Sequence, residues 1–361
     1  MNALEVRDLI KSFGRTRALD GVSFAVPEGG FFTIVGPTNA GKSTLLKTVA
    51  GLHEPDRGDI FISGRHVNGL EPRLRRVSML FQNIALFPQL TGFENIGFAL
   101  RAGKAPASEI ERRVGWAARL LGIEHVLHRL PRTFSGGEQQ RTAIGRAIVQ
   151  PAELLLLDEP LTNLDARLRI QLRIAFKQIH QELGQAVVYV THDQVEAMSL
   201  SDSVGVLNQG RFEQIGSPDE VYHRPATRFV ARFIGTPPMN LILAEVGSAD
   251  GEPVLTGNGF SVPAPELRRF GTAPRRLEIG IRPESILVAQ RSGPETPFPA
   301  ELIWVERLGA RSILDLSLAG APVKATVPAG QVDLVPGQAA WCGFRPQSHH
   351  LLDPSTGRFL R

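Results

Sequence analysis

The sequence predicts an α/β core built around a phosphate-binding loop and carrying a helical insert, followed by a smaller all-β domain. Three observations carry this. Residues 36 to 44 read Gly-Pro-Thr-Asn-Ala-Gly-Lys-Ser-Thr between an apolar strand-like run and a helix-like one. Two further apolar runs, Leu154 to Leu157 and Ala186 to Val190, lie beyond a helix-prone stretch of roughly 93–150. After Pro237-Pro238 the chain turns to short alternating runs broken by Gly and Pro. The expected domains are therefore 1–237 and 238–361.

Leu4 and Val6 oppose Glu5 and Arg7, and Val22, Phe24 and Val26 oppose Ser23, so 3–7 and 22–26 read as half-buried strands. Phe31 to Val35 gives the strand before the loop, and Leu45 to Ala50 the helix after it. Within the insert, Glu94–Leu100, Ala107–Leu121 and Gln139–Val149 are the expected helices. The continuous apolar runs at 154–157 and 186–190 fit parallel strands buried on both faces. Near the end, Leu314, Leu316 and Leu318 alternate with Asp315 and Ser317, and Val323, Ala325 and Val327 with Lys324 and Thr326. That pattern reads as a small barrel or sandwich, with room for two half-sized β units.

A chain of 361 residues fits about two domains. A single cysteine, Cys342, excludes an internal disulfide framework and fits a reducing compartment. The start lacks the basic and apolar regions of a signal peptide. No run nears the ~18 apolar residues of a span, so the chain is not expected to cross a membrane by itself. The net charge of +4 comes mainly from arginines that are dispersed, apart from Arg73 to Arg76 and Arg275-Arg276. These read as solvated surface rather than a nucleic-acid patch. His349-His350 lack nearby ligand partners and also read as surface.

The run at 36–44 fits G-x-x-x-x-G-K-[ST]. In such a loop the backbone N–H groups and the helix N-terminus point at one anion. Gly36 and Gly41 allow close wrapping. Lys42 offers a point charge to the β- and γ-phosphates, and Ser43 a hydroxyl to Mg²⁺. Asp158-Glu159 closes the strand at 154–157, on the side where open α/β sheets bind ligands. Asp158 suits Mg²⁺; Glu159 suits a general base for an attacking water. Phe134-Ser135-Gly136-Gly137-Glu138-Gln139-Gln140-Arg141 opens a helix with a favoured Ser cap, a second anion-binding end. A head-to-tail dimer explains two such ends in one chain: each Ser-Gly-Gly closes on the partner's P-loop nucleotide.

In the order of these motifs the chain resembles the ATPase subunits of ATP-binding cassette (ABC) transporters. The resemblance implies ATP and Mg²⁺ as cofactors. It places Phe13 against adenine and Gly36, Pro37, Thr38, Asn39, Ala40, Gly41, Lys42, Ser43 and Thr44 around the phosphates. Gln82, in Leu80-Phe81-Gln82-Asn83, matches the glutamine loop that touches Mg²⁺ and senses the membrane subunit. Ser135, Gly136, Gly137, Glu138 and Gln139 match the signature, and Asp158 and Glu159 the Walker B pair. Leu164-Asp165 matches the D-loop at the dimer interface. His192, in Val190-Thr191-His192-Asp193, matches the switch histidine on the γ-phosphate. The departures are Glu138 for the usual glutamine, Phe134 for a frequent leucine, and Asn39 for a common glycine.

Gln214 to Pro218, Pro225 to Ala231, Phe233 to Gly235, Pro238 to Asn240, Gly280 to Glu284 and Asp353 to Gly357 resemble the sugar and glycerol-phosphate importer branch. That branch carries a C-terminal oligonucleotide-binding (OB)-like barrel, a regulatory and dimerisation domain that braces the ATPase dimer. The resemblance implies a homodimer, two separate permease subunits, a solute-binding protein acting indirectly, no nucleic acid, and a peripheral place on the cytoplasmic face of the inner membrane. Polyamine, iron or oxyanion import remains open, as does a soluble nucleic-acid role, which a duplicated cassette or coiled-coil insert would favour. Leu86-Phe87-Pro88-Gln89-Leu90 reads equally as core packing or as a groove for a permease helix.

Overall fold

The structure, a computed structural model, describes every residue except 163, 270–274, 347 and 361. It divides into two compact units, Met1–Glu220 and Val221–Arg361.

The first unit contains strands β1 (Asn2–Phe13), β2 (Thr16–Pro27), β3 (Phe31–Val35), β4 (Arg57–Ile62), β5 (Arg65–His66), β6 (Val77–Leu80), β7 (Leu154–Asp158), β8 (Ala186–Thr191), β9 (Ser203–Asn208) and β10 (Arg211–Gly216). Its helices are α1 (Lys42–Val49), α2 (Gly92–Ile96), α3 (Phe98–Ala102), α4 (Ala107–Leu121), α5 (Gly136–Ile148), α6 (Ala166–Leu183) and α7 (Gln194–Leu200). A small antiparallel sheet runs β2-β1-β4-β5, and the central sheet runs β10-β9-β3-β8-β7-β6. From β9 to β6 every pairing is parallel.

The continuous apolar runs follow from this layering. Side chains alternate across a strand. Leu155, Leu157, Val187 and Tyr189 pack with the helical insert, while Leu154, Leu156, Val188 and Val190 pack with the antiparallel sheet and α1. With both faces covered, no polar face remains.

The insert departs from expectation in two places. The helix expected at 94–100 is two short helices meeting at Gly97, where a Cβ would sit only 3.0 Å from Ile110 Cγ2. The helix expected from 139 begins at Gly136 because Ser135 caps it. Helix α6 was not anticipated, although Asp165 and the left-handed Gly184 bracket it as caps. Arg75 corrects the reading of 73–76 as surface. It is fully buried and donates to the carbonyls of Thr48, Val49 and Leu70, satisfying the C-terminal end of α1.

The second unit holds β11 (Asn240–Ala249), β12 (Glu252–Gly257), β13 (Phe260–Pro263), β14 (Arg276–Ile281), β15 (Ile286–Ala289), β16 (Phe298–Arg307), β17 (Arg311–Leu318), β18 (Ala321–Pro328), β19 (Ala339–Phe344), β20 (His349–Asp353) and β21 (Arg358–Phe359). They form two sheets, β13-β12-β11-β14-β20-β21 and β15-β19-β16-β17-β18, around one core. The unit begins ahead of the composition change at Pro237-Pro238. Arg282, 4% exposed, shows why: it donates to the carbonyls of Tyr222, Ala231 and Ile234 and lies 4.1 Å from the Tyr222 ring centroid. Arg228 adds an ion pair to Glu278 at 2.8 Å.

Candidate nucleotide site at the strand ends

Four neighbouring parallel strands end on the same side of the central sheet. β3 leads into the loop 36–44, β8 into His192, β7 ends in Asp158 before Glu159, and β6 precedes Gln82. Residues far apart in sequence therefore converge because strand order places their strands side by side.

The loop is wrapped as tightly as its glycines allow. A Cβ on Gly36 would lie 2.1 Å from the Leu207 carbonyl oxygen, and one on Gly41 2.4 Å from that of Ala18. Gly41 has φ 104° and Asn39 φ 65°, the left-handed region that Asn tolerates. Lys42 Nζ donates to the carbonyls of Gly36 and Pro37, each at 2.9 Å, so the ammonium is held against the loop. Burial lowers the Lys42 pKa, opposed by the charges of Glu159 and Asp158.

Ser43 Oγ donates to Asp158 Oδ1 at 2.9 Å. Asp158 is buried, and desolvation raises its pKa despite that hydrogen bond. A hydroxyl and a carboxylate side by side are hard oxygen donors of the kind Mg²⁺ takes, usually with several waters retained. A cation would offset the desolvation that disfavours the Asp158 charge.

Glu159 is the centre of the cluster. Its Oε2 is met by Gln82 Nε2 at 3.2 Å, Thr162 Oγ1 at 3.1 Å and His192 Nδ1 at 3.3 Å. Its own N–H donates to the Val190 carbonyl at 2.9 Å, tying the end of β7 to β8. Its φ of 47° is unusual for a residue with a side chain, and such conformations concentrate at functional sites. Beneath His192, Glu196 is 3% exposed and accepts from Tyr189 Oη at 2.8 Å and Thr191 Oγ1 at 2.7 Å. Burial raises the Glu196 pKa. The Asp193 N–H donates in turn to Thr191 Oγ1, so both neighbours of His192 are fixed.

The structure thus joins Gln82, Glu159 and His192 in one cluster and Ser43 with Asp158 in another. Thr162 and Glu196 were missed by the sequence reading. Asp193-x-x-Glu196 has the spacing of a capping box, but Glu196 turns to the strand instead. Phe13 is 47% exposed, with Lys11 Nζ 5.5 Å above its ring and His53 edge-on at 5.2 Å. Asp165 caps α6 through the Leu168 N–H.

Ser135 to Gln139 stand apart. Among the described residues no hydrogen bond or ion pair links them to the loop 36–44 or to Glu159. Ser135 and Glu138 form a reciprocal capping box. Glu138 also meets His125 at 2.8 Å and Arg129 at 3.7 Å. The Ser135 N–H, first, and then these partners hold the Glu138 pKa down at about 2.

Comparison with known proteins settles the family. A profile of the ABC transporter family matches residues 19–162, the MalK OB fold domain 235–286 and the TOBE domain 279–352. The sn-glycerol-3-phosphate import ATP-binding protein UgpC of Paracoccus denitrificans is 44% identical over 99% of both chains. The chain belongs to the ABC transporter ATP-binding proteins. It is an ATPase that hydrolyses ATP to power import. The sulfoquinovosyl glycerol transport ATP-binding protein SmoE of Agrobacterium fabrum is 41% identical over the full length of both chains. The dimeric post-hydrolysis structure of the ATP-binding cassette MJ0796, bound to ADP and Pi, is 29% identical with a TM-score of 0.55. It covers 60% of this chain and 98% of that one. The α/β core followed by an all-β OB/TOBE region is as the sequence led one to expect. Among the described residues no helix is long and apolar enough to cross a membrane.

Proposed function

We propose that this ATPase drives uptake of glycerol phosphate or a related glycerol- or sugar-derived solute. It does so as a homodimer on the cytoplasmic face of the membrane, with two permease subunits and a solute-binding protein. The observation that carries the mechanism is the meeting of Gln82, Thr162 and His192 on one oxygen of Glu159. The end-to-end likeness to UgpC and SmoE supports the solute class.

In this reading Lys42 and the loop amides hold the β- and γ-phosphates, and Phe13 stacks on adenine. Ser43 and Asp158, with Gln82, would hold Mg²⁺, which supplies neutralising charge beside the phosphate oxygens. Glu159 takes a proton from the attacking water, and His192 donates toward the γ-phosphate. Ser135, Gly136 and Gly137 of the opposite chain complete the site, and Asp165 lies at the seam. Gln82 sits beside an apolar surface suited to a permease helix. Phe81 and Ile84 are exposed there, and Phe87 and Phe98 pack with tilted rings, centroids 4.4 Å apart, while each remains about two-fifths exposed.

The test is reconstitution with the neighbouring permease and binding proteins in vesicles. ATP-dependent uptake of sn-glycerol-3-phosphate or a glycoside of glycerol is expected. Hydrolysis without uptake of any such solute would overturn the solute class alone. Normal hydrolysis in a Glu159→Gln variant would overturn the assigned mechanism.

A further inference from the structure

The second unit contains a cavity of about 840 Å³ between residues 262–269 on one side and residues 344–346 and 349–351 on the other. Its size lies within the ~300–1,000 Å³ range of small-molecule pockets. The two walls are distant in sequence and are pinned together by His349 Nε2 against Glu266 Oε1 at 2.6 Å. One wall is fixed from behind: Phe344 packs against Phe260 and Phe298, each with ring centroids 5.4 Å away. The Arg345 N–H is bound to the Ser285 carbonyl at 2.9 Å. His349 and His350 therefore do not lie on open surface as the sequence reading had them; they line this cavity, and His349 is paired.

The lining combines an apolar floor with positive charge. Val262, Phe344, Leu351 and Leu360 supply the apolar surface. Glu266 is the one carboxylate of the described lining, and His349 engages it. Arg269 and Arg345 are exposed, and neither guanidinium has a hydrogen-bond or ion-pair partner among the described residues. His350 is held below its ordinary pKa by burial and then by the charges of Arg282, His349 and His223. Arginine forks match carboxylate and phosphate geometry.

We propose that this cavity binds a small organic anion with an apolar body, the head group at Arg269 and Arg345 and the body on Phe344 and Leu351. This cavity shares no residue with the nucleotide site and does not depend on the solute assigned above.

The experiment is a fluorescence titration of the full chain with 8-anilino-1-naphthalenesulfonate, an anion with an apolar body, in saturating Mg-ATP. Hexanoate, hexyl phosphate and hexanol serve as competitors. The double variant R269Q/R345Q should bind the probe at least about tenfold more weakly, the loss expected for charge-assisted hydrogen bonds. Both arginines are exposed, so the fold should survive. Hexanoate or hexyl phosphate should displace the probe from the wild type, and the stronger of the two identifies the head group. Equal probe affinity in the double variant would overturn the proposal. So would displacement by hexanol as effective as by either anion, a result that needs no variant.

Discussion

The ends of the parallel strands and the start of α5 are both suited to phosphate, yet they are built differently. At the strand ends the candidate site side chains bind one another: Ser43 to Asp158, and Gln82, Thr162 and His192 to Glu159. At the helix start, Ser135 and Glu138 satisfy each other, and a Cβ on Gly136 would meet nothing within 4 Å. The first region is organised from within the chain. The second is closed on itself locally and open outward, as a surface completed by another chain would be. Substitutions at the strand ends should therefore act on chemistry, and those at the helix start on closure or local stability.

The largest expected effect tests the first half of that contrast. Glu159→Gln preserves shape and the contacts to Gln82 and Thr162 but removes the basic charge. Turnover should fall ~10²–10⁴-fold, the usual cost of losing a general base. Nucleotide should stay bound, and a cysteine placed at Ser135 should crosslink to a second cysteine introduced in the facing P-loop. Slow turnover with no trapped dimer would break the two-chain reading while leaving the base intact. Next comes Lys42→Ala, which removes a charge the loop holds in place. ATP affinity should weaken by ~10–100-fold, in the range of a charged hydrogen bond, with turnover falling as well. Wild-type affinity by equilibrium dialysis would remove Lys42 from the phosphate site.

A smaller effect is expected behind the cluster. Glu196→Leu leaves Tyr189 Oη and Thr191 Oγ1 without their acceptor, a buried loss of about 1–3 kcal/mol. Urea unfolding should register it. Turnover should fall more than ATP affinity, because Thr191 and Asp193 flank His192. Glu196→Gln keeps an acceptor and should recover most of both. If the glutamine variant is as impaired as the leucine one, the carboxylate does more than support the loop.

What could be read from the sequence follows the same contrast. The loop 36–44 and the pair Asp158-Glu159 were legible because each is contiguous and its context, apolar strand before and helix after, is local. The meeting of Gln82 with Glu159 depends on β6 lying beside β7, a property of strand order that no local pattern encodes. Thr162 carried no signal at all. Gly97 and Arg75 were misread because the deciding contacts, Ile110 for one and the α1 carbonyls for the other, come from other elements. In the second unit alternation gave the strand class. The pairing of His349 and the attachment of 221–237 rest on Glu266 and Arg282, partners far away in sequence.

The smallest expected effect probes the self-capped helix end. Glu138 is held at about 2, below its ordinary 4.5, chiefly by the Ser135 N–H. A carboxylate whose pKa is lower in the folded state stabilises the fold above its unfolded pKa. That contribution fades as pH falls from about 4.5 toward 2. His125 and Arg129 are 56% and 41% exposed at the side chain, so screening keeps their share to a fraction of a kcal/mol. Glu138→Gln retains the capping-box geometry, since glutamine serves at that position too. It should flatten the acid slope in urea unfolding and change stability at pH 7 by less than Ser135→Ala, which removes the cap at about 1 kcal/mol. An unchanged acid slope would assign the titration to other carboxylates. A Glu138→Gln loss as large as that of Ser135→Ala would mean that charge, and not the cap, holds this end of α5. The helix start would then be no more self-sufficient than the strand ends.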